Sequence, residues 1–213
     1  MYSRISDLIH RYSDLTPCAG DITAAFEMLK TIFEAGGKLL ICGNGGSAAD
    51  SEHIVGELMK GFRLRRPLPA ADRERLSTAN PDQANYLATH LQGALPAVAL
   101  VGHSSLFTAF INDVAADMVF AQQVYGLGRP GDALLSISTS GNASNVLNAV
   151  RVARAFGLHT LGLTGPSGGT LRELCDVTIC VPGADTAQIQ EHHLPVYHTL
   201  CSMLEETFFG PPQ

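Results

Sequence analysis

In Lys38-Leu39-Leu40-Ile41-Cys42-Gly43-Asn44-Gly45-Gly46-Ser47-Ala48-Ala49-Asp50, four apolar residues in a row end abruptly in glycine, asparagine and serine, after which the spacing turns helical. So short an apolar run, cut off by two breakers, is a strand buried on both faces rather than part of a helix. The same unit recurs downstream, with apolar runs at 97–101, 133–137, 160–163 and 177–181, each closed by small residues and followed by a helical stretch. Short buried strands that alternate with helices form a parallel sheet joined by right-handed crossovers. The pattern therefore predicts one α/β domain over residues 1–213, with a doubly wound five-stranded parallel sheet.

Upstream of this run lie two amphipathic segments. Ile5, Leu8, Ile9 and Tyr12 repeat at helical spacing, and so do Ile22, Ala25, Phe26, Leu29, Ile32 and Phe33, up to the Gly36-Gly37 stop. These two helices, within residues 1–36, stand outside the strand–helix repeat, so their apolar stripes are expected to pair with other copies of the chain. Downstream, residues 62–82 are rich in proline, arginine and alanine and are expected to be an irregular insertion or lid. A final helix is expected over about 186–208, kinked at Pro195.

Composition narrows the function classes. A net charge of −6 argues against a direct nucleic-acid binder or a membrane-surface protein, both of which need a basic footprint. The run Lys60, Arg63, Arg65, Arg66 is the local exception and is expected to be a solvated loop. Five scattered cysteines without a CxxC pair suit neither a disulfide framework nor a cysteine zinc site. With no leader pattern and no apolar run of about 20 residues, the expected location is the cytoplasm.

Chemistry concentrates in two loops. Gly43-Asn44-Gly45-Gly46-Ser47 and Ser138-Thr139-Ser140-Gly141-Asn142 each follow a strand and open a helix. Glycines let the backbone approach an anion, and hydroxyls and free N–H groups at a helix start donate to it. Neither loop is a Walker A or a G-x-G-x-x-G, so a small phosphate ester is expected there and no nucleotide cofactor. Thr164-Gly165-Pro166-Ser167-Gly168-Gly169 is taken as a turn. On the helix leaving the first loop, Asp50, His53, Glu57 and Lys60 share one stripe. A His and a Glu four apart can act as a solvated pair, join in acid–base chemistry, or share a zinc ion.

With GNGGS and STSGN in these loops, and Ile189-Gln190-Glu191 through His198 in the last helix, the chain resembles the SIS-domain family and its phosphoheptose isomerase branch. That resemblance implies a flavodoxin-like fold and a homotetramer with active sites near subunit interfaces. It also implies conversion of sedoheptulose 7-phosphate to a heptose 7-phosphate, on the way to lipopolysaccharide or related heptosides. Carried over residue by residue, it assigns Glu57 as general base and His198 as general acid. Phosphate contacts fall on Ser47, Ser138, Thr139 and Ser140, and sugar contacts on Asn44 and Asp113; Gly45, Gly46, Ser144 and Gln190 join the substrate-binding set. In some members the positions of His53, Glu57, Gln190 and His198 hold zinc. Eight residues put Gln190 and His198 about 12 Å apart along a straight helix, so a shared ion would need a kink or a second subunit. The chain departs from the family at Ala143, where serine is common, at Gly61, where arginine is common, and in the longer stretch 62–82. A non-catalytic phosphosugar-binding protein with a replication or transcription partner is the alternative. The joint presence of Glu57 and His198 favours the enzyme.

Overall fold

The computed structural model describes residues 2–211. Five parallel strands, β1 (Leu39–Gly43), β2 (Ala97–Ala99), β3 (Ala133–Ser138), β4 (His159–Thr164) and β5 (Val177–Cys180), form one sheet in the order β2-β1-β3-β4-β5. The helices are α1 (Ser3–Arg11), α2 (Ala19–Glu34), α3 (Gly46–Met59), α4 (Ala70–Ala79), α5 (Ala84–His90), α6 (Ser104–Asp113), α7 (Val119–Leu127), α8 (Ser144–Ala155), α9 (Gly169–Leu174) and α10 (Thr186–Phe209). All five predicted strands are present, with ends within two residues of expectation.

The strand period of two divides the core into two layers. Leu39 and Ile41 point to one face with Leu135, Ile137 and Leu161, where α2, α3 and α10 cover them. Leu40, Cys42 and Leu134 point to the other, against Val119, Phe120 and Val124 of α7 and Val146, Val150 and Ala153 of α8. Every residue of β1 and β3 is buried, as a central parallel strand requires.

Two expectations are corrected here. The apolar stripes of α1 and α2 are not left over for a second copy. Ile5 and Leu8 of α1 and the whole stripe of α2 lie in the first core layer, with Ile5 and Ile22 fully buried. The long helix α10 packs against α2 and α3 and gives α1 a surface to dock on. Nor is the stretch 62–82 simply irregular, because α4 occupies Ala70–Ala79. No residue of α4 is buried, so the hydrophobic pattern gave no sign of it; the helix rests on helix-favouring residues and on its contact with α5.

The final helix runs on through Pro195 to Phe209, and the Asp185 carboxylate caps its start by accepting the Gln188 N–H at 2.9 Å. On this helix His193 is fully buried, and burial pulls its imidazole pKa down to about 4, with the Thr164 backbone only partly offsetting this. Above about pH 6.5 the ring is neutral whether the chain is folded or not. Below that, the unfolded chain takes up a proton that the folded one refuses, so stability falls until about pH 4. The expected loss is about 3 kcal/mol. Urea denaturation at pH 7 and pH 4.5 should show it, and His193→Leu should remove most of the difference.

Candidate active site

Strands β1 and β3 are neighbours, with Gly43 level with Ile137. From β1 the chain winds towards β2, and from β3 towards β4, so the loops after them part and leave a crevice at the carboxyl edge. Both serine- and glycine-rich loops fall at this crevice. In the first, a Cβ on Gly43 would lie 2.7 Å from the Ser47 carbonyl oxygen, and Gly45 holds φ at +56°, so both positions need glycine. Ser47 is buried, its N–H bonded to the Asn44 carbonyl at 3.0 Å. In the second loop Ser138 is buried, Thr139 half-buried and Ser140 exposed.

Two contacts fix the loops. The side-chain amides of Asn44 and Asn145 bond each other reciprocally at 2.9 Å, tying the first loop to the start of α8, where Ser144 lies exposed. The Asn142 side-chain carbonyl accepts both the N–H and the hydroxyl of Thr170 at 2.9 Å. The third small-residue loop, expected as a turn, thus buttresses the second. The crevice lies between the N-termini of α3 and α8, an arrangement suited to an anion.

The α3 stripe faces α10. His53 Nε2 lies 3.2 Å from Glu57 Oε1 and 3.4 Å from His198 Nε2. His53 Nδ1 is 3.0 Å from the Tyr197 hydroxyl, which donates to Asp50 Oδ1 at 3.1 Å. Glu57 Oε2 is buried without a hydrogen-bond partner. Burial, and then the neighbouring His53, lower the His198 pKa, with Glu57 acting in the opposite direction. A cavity of about 840 Å³ opens beside His198, lined by Arg4, Arg11, Phe62, Arg63 and Ser202 among others. It does not extend to Ser47 or Ser138.

Two predicted residues stand apart from this group. Gln190 packs its amide over Gly46, where a Cβ would meet Nε2 at 2.6 Å. That places it beside the first loop, two helical turns from His198 on the same chain. The helix is continuous and keeps the two side chains on separate turns. Asp113 is exposed at the end of α6 and accepts from the Asn112 side chain.

The donor chemistry left for a metal is His53, His198 and Glu57. Two donors about 2.1 Å from one tetrahedral zinc lie about 3.4 Å from each other, the spacing of the two imidazoles, and Glu57 Oε2 has no other partner. As they stand, no three His, Cys, Asp or Glu side chains among the described residues close around a point. The fit is therefore that of a pair of imidazoles with a carboxylate alongside.

Sequence reasoning missed three parts of the site. Tyr197 stood beside His198 but reads as an ordinary core residue, and the Asn145 amide pair depends on side-chain geometry. The third is Arg66, expected in a solvated basic loop and in fact 1% exposed. Its guanidinium pairs with Glu205 at 2.8 Å and donates to the carbonyls of Glu57 and Leu58.

The sequence matches the SIS domain over residues 2–89 and 81–165. It is 44% identical to the phosphoheptose isomerase of Roseiflexus sp. (strain RS-1), over 88% of this chain and 82% of that one. Identity to the phosphoheptose isomerase of Trichlorobacter lovleyi is 41%, over 86% and 81% of the two chains. Among solved structures, phosphoheptose isomerase from Neisseria gonorrhoeae superposes with a TM-score of 0.74 at 33% identity, covering 94% of each chain. By these matches the chain belongs to the SIS-domain family, in its phosphoheptose isomerase branch.

Proposed function

We propose that this protein interconverts sedoheptulose 7-phosphate and D-glycero-D-manno-heptose 7-phosphate through an enediol. The loops at 43–47 and 138–142 take the phosphate, with Ser47, Ser138, Thr139 and Ser140 donating to it, and Asn44, Ser144, Gln190 and Asp113 are read as substrate contacts. Glu57 removes a proton from C1 while His198 Nε2–H protonates the C2 carbonyl oxygen, giving the enediol. Return of the carbon-bound proton to C2 and loss of the O1 proton give the aldose. A lowered His198 pKa keeps that ring neutral at pH 7, able to donate from one nitrogen.

The observation that carries this reading is the buried, unpartnered Glu57 Oε2 on the helix that springs from the first loop. A carboxylate oxygen with no bond to protein is free to take a proton. Its test is turnover of sedoheptulose 7-phosphate followed by NMR. Phosphosugar binding in a thermal-shift assay, without turnover of any five- to seven-carbon substrate, would instead make the chain a binding protein.

A zinc ion held by His53, His198 and Glu57 would, when bound, polarise the substrate oxygens, and it would occupy the same atoms that the metal-free acid–base step uses. The cytoplasmic expectation rests on composition together with the five free cysteines. Assembly as a homotetramer now rests on the family resemblance, since the apolar stripes of α1 and α2 are used within the chain. Light scattering at micromolar concentration should give four times the chain mass of 22.6 kDa; a monomer mass would rule the tetramer out.

A further inference from the structure

We propose that Tyr197, with Asp50 behind it, is a positioning residue that sets the tautomer of His53 and aims its bare Nε2 at Glu57 and His198. Tyr197 is 2% exposed and stands between Asp50 Oδ1 at 3.1 Å and His53 Nδ1 at 3.0 Å. A carboxylate can only accept, so the single phenolic hydrogen goes to Asp50. The phenol oxygen then has only lone pairs to offer His53, and Nδ1 must carry the ring proton. A neutral imidazole has one N–H, so Nε2 is left bare.

The consequence reaches the acid–base pair. His198 Nε2, 3.4 Å from a bare His53 Nε2, has an acceptor only if it holds its own proton, which is the donor form that the proposed reaction needs. Glu57 Oε1, 3.2 Å from the same bare nitrogen, gains no hydrogen bond while both are unprotonated. His53 therefore leaves the base free to take its proton from substrate, and presents its lone pair where a proton or a divalent cation can be received. With the opposite tautomer, Nε2–H would donate to Glu57 and weaken it as a base.

The test reads the tautomer directly, by long-range ¹H–¹⁵N correlation on chelator-stripped, full-length protein above the imidazole titration range. Wild type should show the proton on His53 Nδ1. In Asp50→Ala the phenol loses its acceptor and can donate to Nδ1, so the proton should move to Nε2. Asp50→Asn keeps a carbonyl acceptor and should preserve the wild-type pattern. Tyr197→Phe keeps the ring packing, should release the tautomer, and should lower kcat roughly ten- to a hundred-fold with KM within about two-fold. A proton on Nε2 in wild type overturns the proposal, as does an Asp50→Ala spectrum identical to it. Only the kinetic arm rests on the isomerase reading; a chain without turnover but with the expected tautomer shift would sink that reading alone.

Discussion

Glu57→Gln is expected to lower kcat by about a thousand-fold while phosphosugar affinity stays within a few-fold, a positioned base contributing roughly 10²–10⁴. The amide matches the carboxylate in shape, so the turn of α3 that carries it and the pair of bonds from Arg66 beneath it should persist. Only the capacity to take a proton is lost. The buried Oε2 has no protein partner, so the substitution breaks no hydrogen bond at that atom. The phosphate loops lie at the other end of α3 and should bind as before. The loss should thus fall on kcat, as for an interaction made in the transition state. Comparable turnover by variant and wild type would remove Glu57 as the base, and a fall in affinity alone would make it a binding residue.

What was legible in the sequence depended on periodicity and on residues with few alternatives. The five strands could be read because runs such as Leu39–Gly43 are apolar at every position and end in glycine, a pattern that central parallel strands need and few other elements tolerate. The first loop was legible for a similar reason, since Gly43 and Gly45 meet steric limits that only glycine satisfies. The stripe of Asp50, His53 and Glu57 followed from helical spacing. Contacts between segments distant in sequence were not legible. Nothing local indicates that Arg66 meets Glu205, 139 residues away, so a basic run looked solvated. The α1 and α2 stripes were legible as stripes, but their partner α10 lies more than 150 residues further along the chain. The helix α4 has no apolar face, so periodicity could not mark it.

Glu205→Ala is expected to destabilise the fold by about 3–5 kcal/mol, the cost of leaving a buried charge without its partner. Both side chains of the Arg66–Glu205 pair are fully buried. Burial alone would raise the Glu205 pKa, but the N–H groups of Phe62 and Arg63 and the Arg66 guanidinium bring it below the usual carboxylate range. The carboxylate accepts from the backbone N–H groups of Phe62, Arg63 and Leu64 as well as from Arg66. Arg66 in turn caps the open end of α3, taking the carbonyls of Glu57 and Leu58 that a helix C-terminus leaves unsatisfied. One carboxylate on α10 thereby holds both the segment after α3 and, through Arg66, the turn that carries the proposed base. At roughly 2–4 °C per kcal/mol for a chain of this size, Tm should fall by about 10 °C or more. Arg66→Met should cost a comparable amount, because it strands the carboxylate. The double variant Arg66→Met, Glu205→Leu should lose less than the two singles together, since apolar replacement of a whole buried pair is often near neutral. Here three backbone N–H groups would still lose their acceptor, so recovery should be partial. Urea denaturation of the four proteins measures this coupling. Strict additivity of the two single losses would show that the pair is not the unit holding α3 to α10.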